Sequence, residues 1–583
     1  MPPIWKGKYT DRNYVTETLL GFLANVSAKL SPRSSVFLKN IYSITSDNRV
    51  VLRNGSPDYE ADSAFKQNTN ARWFTSNQIF SSQLGGEHVV TKQRLKLLWI
   101  ASFGNVVREI PNLSQFILSG YEPDLQPLFS NGSSVSQTNG INMFFSKNNE
   151  KIYSGKLDIQ QPFRLLKNKD NLVKAGVYVQ KRERDFKARL FGLQPYNAPG
   201  QGFDFSLLKL REDSIFLPQH LGRMANGKGG FMVTDGNLPT FNYDAVSELK
   251  AGYLMLDQRF LNIVRIIYGV RLESFNQQLN SFKDYNKPTN VNTTIRDVLP
   301  SGNIVVSVTP KMNVRLSYSQ TINRPEFREL APFLFYDFVS QYTIEGFDTL
   351  QRAKVVNYDF RYEFFPGKAQ LFSVSAFYKT FTNPIEVVSN PDFDNLATYS
   401  NARSAKVYGF EAEFRTLLGT LTGAAEHSFL NHITFSANAA FTKSEVQLGS
   451  FGFYDLSKLV QSRALQGQSP YIINGSLGYA HPGLGLTATV SYNRVGPRIF
   501  IAGTLSDADI YEQTRDVVDV QLSKSFLKDK QLEVKLNMRD LLSQKQLFWF
   551  DFNKSKKYEP DTDRIFSSQV MPKVFSLNIS YKF

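Results

Sequence analysis

The sequence predicts an all-β fold, a transmembrane antiparallel β-barrel with short periplasmic turns and long extracellular loops. Three observations carry this: residues alternate with period two, the composition is aromatic-rich yet polar, and connections alternate short and long. In a membrane barrel only every second residue faces lipid, so the average stays polar while each strand keeps an apolar face. Aromatics make up 14% of the 583 residues, with 48 Phe and 27 Tyr against 4 Trp, yet the mean hydropathy is −0.29. No run approaches the roughly 18 apolar residues of a membrane helix; Ile263-Val264 and Ile266-Ile267-Tyr268 are split by Arg265.

The alternation is strict. Val314, Leu316 and Tyr318 oppose Asn313, Arg315, Ser317 and Ser319. Ile433, Phe435, Ala437, Ala439 and Phe441 point one way, and Thr434, Ser436, Asn438, Ala440 and Thr442 the other. Leu486, Ala488, Val490 and Tyr492 separate in the same way from Thr487, Thr489, Ser491 and Asn493. A soluble sandwich alternates too. Three features favour the membrane: long strands such as Tyr253–Phe275, broken only by a turn; a polar face that is small and neutral in many strands; and aromatics near strand ends, as in Phe372, Phe377, Tyr378 and Phe381.

Short turns are expected at Ser31–Ser35, Val89–Lys92, Leu165–Asp170, Asp257–Leu261 and Thr309–Met312. Others follow at Pro366–Lys368, Leu417–Leu430, His481–Gly485 and Leu527–Gln531. Nine turns and a final strand imply about 19 strands. The longest loop is expected from about Arg189 to Asn242. In the last strand Phe575, Leu577, Ile579, Tyr581 and Phe583 alternate with Ser576, Asn578, Ser580 and Lys582. That strand resembles the C-terminal signal read by the outer-membrane barrel-assembly machinery.

Chemistry-bearing residues are sparse. With no cysteine, disulfide scaffolds, thiolate metal sites and cysteine nucleophiles are excluded. The net charge of +15 comes from dispersed residues without a nucleic-acid-binding motif, and it suits a surface facing outer-membrane lipid and lipopolysaccharide. His88, His220, His427, His432 and His481 lack metal-ligand spacing. Asp507/Asp509 and Asp561/Asp563 fall in outer loops, where calcium is one reading and solvated carboxylates the other. The run Lys181-Arg182-Glu183-Arg184-Asp185 is expected as a mixed-charge rim where a strand leaves the membrane. Arg324, Arg328 and Glu329, near Pro325 and Pro332, are expected to build a loop base. Gly409 and Gly467 are expected to permit a bulge or close approach in the wall. No catalytic residues, metal site or cofactor are expected.

Several ordered stretches carry a family resemblance: Gln83-Leu84-Gly85-Gly86-Glu87-His88, then Thr321-Ile322-Asn323-Arg324-Pro325-Glu326-Phe327-Arg328-Glu329-Leu330-Ala331-Pro332-Phe333. Val407-Tyr408-Gly409-Phe410-Glu411-Ala412-Glu413, Leu465-Gln466-Gly467-Gln468-Ser469-Pro470-Tyr471, Val517-Val518-Asp519-Val520 and the terminal strand complete the set. Together they resemble the TonB-dependent outer-membrane receptors of Bacteroidetes-type bacteria. The resemblance implies a barrel of about 22 strands, a plug domain, ligand uptake driven by a TonB-type inner-membrane complex, and sometimes a surface lipoprotein over the mouth. Residues 1–583 are read as the barrel portion. The opening Met1-Pro2-Pro3-Ile4-Trp5-Lys6-Gly7-Lys8 does not read as a signal peptide, and signal peptide, plug and about three opening strands are expected to be missing. A plugless structural, adhesive or secretion-associated pore is the alternative. A barrel enzyme is disfavoured because no nucleophile–base set is visible.

Overall fold

The computed structural model describes residues 7–582, except 58–61, 91–93, 130–139, 166–167, 216, 261–262, 284–285, 368, 391–394, 426–427, 452–453, 456–462, 482 and 505–506. Among the described residues nineteen strands form one antiparallel wall in chain order, with two short loop strands added at its rim. The first nine are β1 (Lys8–Ser31), β2 (Ser34–Ser56), β3 (Phe65–Val89), β4 (Lys96–Tyr121), β5 (Asn142–Leu165), β6 (Asn168–Pro195), β7 (Asn242–Phe260), β8 (Val264–Lys283) and β9 (Lys287–Thr309). Then come β10 (Met312–Asn323), β11 (Ala353–Phe364), β12 (Leu371–Thr382), β13 (Ser404–Leu417) and β14 (Ile433–Gln447). The wall ends with β15 (Tyr471–His481), β16 (Leu486–Val495), β17 (Arg515–Phe526), β18 (Leu532–Arg539) and β19 (Val574–Tyr581). The strand count follows the sequence reading, and a short connection occurs at each of the nine expected places, one of them shifted along the chain. No helix among the described residues is long and apolar enough to cross a membrane; the crossing elements are strands.

The register of β10–β14 stacks the outward face into rows. From the short-turn rim upward they are Met312–Phe364–Phe372–Phe414–Ala437, Val314–Tyr362–Val374–Ala412–Ala439, Leu316–Phe360–Ala376–Phe410–Phe441 and Tyr318–Tyr358–Tyr378–Tyr408–Lys443. Three apolar rows beneath a tyrosine row make a lipid-facing band with an interfacial belt, since a phenol keeps its ring in the apolar layer and its hydroxyl in the headgroups. On β12 the belt takes only Phe372 and Tyr378. Phe377 and Phe381 point inward, correcting their expected place in a girdle. Phe377 lies over Gly409, where a Cβ would collide with its ring and with the Phe441 carbonyl oxygen. Gly409 therefore serves close approach, in an unbroken ladder. Gly467 is a left-handed turn residue at φ +76° outside the wall.

The wall is lopsided. Strands β1–β9 run from 19 to 28 residues, β10–β19 from 8 to 15. A crossing needs only about 9–11 residues, so the tall half rises well above the membrane. This corrects two expectations. The β8–β9 connection on the loop rim is a tight hairpin between Lys283 and Lys287. The long loop begins only after Pro195, because β6 continues upward. The turn expected at Asp257–Leu261 also lies later, since Asp257 still pairs with Ile267.

Among the described residues β1 and β19 share no ladder. Hydrocarbon leaves unpaired edge groups costing several kcal/mol each. Both edges therefore require partners in the bilayer, either each other, in parallel, or further strands.

Candidate functional site

The chemistry concentrates above and inside the wall, where loops fold back over its mouth. The connection from Arg324 to Arg352 is the central one. Its short helix, Phe327–Leu330, starts with a capping box between Glu326 and Glu329. Phe327, Leu330 and Phe333 are buried against inward-facing Phe144, Phe186 and Leu279 of β5, β6 and β8. Phe333 lies within 4.5–6.4 Å of four other phenyl rings. Aromatic burial on this scale strongly stabilises docking, so the loop is a strap laid against the tall half.

Ionic contacts staple the strap in several places. Arg182 donates to Glu150 at 2.9 Å and to Glu326 at 2.9 Å, and Arg184 donates to Glu150 at 2.5 Å. Both guanidinium groups sit over the Phe327 ring, at 5.3 and 5.1 Å. Burial opposes the charge on Glu326, but Arg182 outweighs it and holds that carboxyl below the usual range. Arg324 pairs with Glu273, Lys283 with Asp348 and Arg352 with Asp297. At the far side Arg53 of β2 grips Asp11 of β1 at 2.8 and 2.7 Å and donates to the carbonyls of Phe338 and Val339, both at 3.0 Å. The strap thus reaches from β10 to β2. Beside Arg53, burial pushes the Tyr336 phenol up to about 12.

Over the short half the loops build a cap. Arg498–Ile501, Ile510–Glu512, Gln546–Phe550 and Arg564–Gln569 form a four-stranded sheet around Trp549. A second sheet joins Leu334–Asp337 and Tyr342–Glu345 of the strap to Leu396–Asn401 and Ile385–Ser389. Glu386 and Arg463, with 2% and 8% of their side chains exposed, form a bidentate ion pair at 2.9 and 3.0 Å. Gln466 accepts from the Val387 amide and donates to the Phe500 carbonyl, each at 2.6 Å. One glutamine therefore ties two neighbouring loops together. Burial raises the carboxyls of Asp509 and Asp551, against the pull of Arg463 on the first and of the Lys556 amide on the second.

Beneath this roof the inner wall divides by charge. On β10–β13 an ion-pair chain runs Arg315–Glu363–Arg361–Glu413 at 2.8, 3.0 and 3.1 Å. On β14–β16 the surface is neutral, and on β17 and β18 amide side chains lie among Asp519, Glu533 and Lys535. Asn493 donates to Asn474 at 2.6 Å and Asn474 to Asn438 at 2.8 Å. Gln521 donates to Asn537 at 2.7 Å and Asn537 to Ser576 at 3.1 Å. A hollow of about 320 Å³ lies beside Asn438, Asn474 and Asn493.

The residues singled out from sequence have structural places. Arg324 and Glu329 sit at the strap base, and Arg328 lies over Phe335 at 4.3 Å. The Lys181–Asp185 run has two faces. It lies within β6, with Arg182 and Arg184 turned inward to the strap and Lys181, Glu183 and Asp185 outward. Asp507 accepts from Ser389, Asp509 from the Gly503 amide and Asp563 from the Glu559 amide, while Asp561 is exposed. Among the described residues no group of three or more His, Asp or Glu side chains could hold a metal ion. His88 bonds to Ser34 and Trp99, His220 to the Ser214 carbonyl, and His432 packs tilted against His481 with centroids 4.6 Å apart. His427 lies outside the described residues. Phe575, Leu577, Ile579 and Tyr581 face outward on β19 and pair with β18; Phe583 lies outside the described residues. Arg53, Glu150, Glu386 and Arg463 were not singled out from sequence, because nothing local marks a charge whose partner is a distant strand or loop.

Comparison with known proteins places this architecture. Residues 37–541 match the family described as TonB dependent receptor-like, beta-barrel. No curated protein matches in sequence. Among solved structures the chain resembles the copper transporter OprC, with TM-score 0.56, 12% identity and coverage of 100% of this chain and 82% of that one. It also resembles the ferric yersiniabactin uptake receptor FyuA from Yersinia pestis, with TM-score 0.55, 12% identity and coverage of 100% and 81%. The siderophore receptor PiuA from Acinetobacter baumannii gives TM-score 0.52, 10% identity and coverage of 100% and 82%. At such identities the likeness shows the fold, and the family match over most of the chain carries the assignment. The chain is an outer-membrane β-barrel and belongs to the TonB-dependent receptor family.

Proposed function

We propose that residues 1–583 form the barrel portion of an energised importer that captures a scarce ligand at the cell surface, as in Bacteroidetes-type receptors. The observation that carries this is the roofed mouth. A strap stapled to β2, β5, β6, β8 and β9 and a cap of interlocked loops enclose a polar vestibule, whereas a passive pore works best unobstructed. Ligand meets the strap and cap first, and the neutral β14–β16 wall offers the path of fewest charges downward. The similar solved structures include a copper transporter and receptors for siderophores, so iron chelates lead the candidates, followed by glycans and peptides. The same reading includes a plug pulled by a TonB-type complex, assembly through the outward face of β19, and an optional surface lipoprotein.

The test is uptake by cells with and without the gene, offered iron-55 chelates, copper-64, labelled oligosaccharides and labelled peptides. Accumulation of one class that requires the gene and stops when a protonophore collapses the inner-membrane gradient is expected. Gene-dependent accumulation that ignores the protonophore would replace the importer with a plugless pore.

A further inference from the structure

Two rungs of side chains cross the lumen wall of β14–β17, and neither the strap nor the cap uses them. In the upper rung Asn438, Asn474 and Asn493 stand side by side with Val517. Two residues lower, Ser436, Ser476 and Ser491 stand beside Asp519. Both rungs line the hollow of about 320 Å³, at the height of the outward Ala437 and Ala439 in the lipid-facing rows. Neighbouring strands lie about 4.8 Å apart and successive rungs about 7 Å apart, so the polar groups form a grid on the scale of a sugar ring.

The grid has hydrogen-bonding capacity to spare. Asn493 donates to Asn474 and Asn474 to Asn438. Among the described residues the Asn438 side-chain NH₂ and the Asn493 side-chain oxygen therefore stay free, and the three serine hydroxyls have no partner. The grid also selects against charge. Neither rung holds a lysine or arginine to receive an anion, and Asp519 already accepts from the Asp540 amide at 2.8 Å. An enclosed charge without a partner is costly. Val517 is the one apolar member of the two rungs, so an aliphatic or aromatic group gains little burial there.

We propose that these two rungs form a subsite for a neutral oligosaccharide inside the lumen, below the cap. Sugar hydroxyls both donate and accept, as the asparagine and serine side chains do, and Asp519 accepts from a further hydroxyl. The hollow is at the small end of ligand sites, about 300–1,000 Å³, so it takes a short stretch of the chain rather than the whole. The inference rests on the importer reading and, within it, places neutral oligosaccharides ahead of anionic iron chelates.

Full-length chain in uncharged detergent would be titrated calorimetrically with maltohexaose, xylohexaose, mannohexaose and an inulin hexaose, and with ferric citrate as the anionic probe. At least one hexaose is expected to bind, with an affinity that added salt leaves unchanged because no charges are paired. Each amide hydrogen bond contributes roughly two- to tenfold, so N438L/N474L/N493L is expected to weaken that binding on the order of 100-fold. V517W, which fills the hollow and leaves every amide in place, should weaken it comparably. T434V/T489V, on the same strands one rung lower, should bind like the parent. No hexaose bound by the parent, or equal affinity in the parent, the triple variant and V517W, would overturn the proposal. Loss of ferric citrate binding in V517W would do so too. Binding in detergent needs no energised membrane, so its failure overturns the subsite alone, whereas gradient-insensitive uptake overturns the importer alone.

Discussion

Replacing Glu386 with alanine is expected to open the outer cap by about 3–5 kcal/mol, the cost of removing one partner of a buried ion pair. Glu386 accepts from both terminal nitrogens of Arg463 and from the Gln466 amide at 3.0 Å. Its loss strands a buried guanidinium beside the glutamine that ties the loops together. Hydrogen exchange at Val387, Ile499 and Tyr511 should accelerate roughly 100- to 5,000-fold, with the β10–β14 wall unaffected. The double variant Glu386→Leu with Arg463→Met should recover most of the protection, because apolar residues of similar volume can replace such a pair without loss. Unchanged exchange in the single variant would mean that the pair does not hold the cap.

The second large effect belongs to the strap. Phe333→Ala should cost about 3–5 kcal/mol of docking energy, because the ring is 2% exposed and its neighbours Phe186, Phe241 and Phe335 belong to three different segments. The cavity left at this junction cannot close without moving the wall. Exchange should rise across Phe327–Phe335 and also at Phe338, where Arg53 holds the far end. A rise confined to the residues beside Phe333 would show that the two ends move independently and that the strap is not one unit.

The wall was legible in the sequence because its cause is local. Alternation such as Val314-Arg315-Leu316-Ser317-Tyr318 assigns each side chain to lipid or lumen without knowledge of the partner strand, and the turns mark each reversal. Phe377 shows the limit: an aromatic near a strand end looks like a girdle residue until parity with Tyr378 places it inside, over Gly409. The roof was far less legible. Arg182 and Arg184 read as a solvated rim because their partners, Glu150 and Glu326, are 32 and 144 residues away from Arg182. Arg53 reaches Phe338 across 285 residues. Such pairings depend on how a loop folds back over the lumen, which period-two patterns do not encode. Leu465–Tyr471 and Thr321–Phe333 carried the family resemblance, and in the structure they prove to be junctions where loops are fastened.

The central claim is that the even-numbered side chains of β11 face lipid and the odd-numbered ones face the lumen. The chain has no cysteine, so single cysteines at 358, 359, 360, 361, 362 and 363 can each carry a nitroxide without background. Collision rates with oxygen, which partitions into lipid, and with a nickel chelate, which stays in water, would be measured in reconstituted bilayers. The account predicts that Tyr358→Cys, Phe360→Cys and Tyr362→Cys favour oxygen, and that Asp359→Cys, Arg361→Cys and Glu363→Cys favour nickel. Equal access at all six positions, or the reverse alternation, would contradict it.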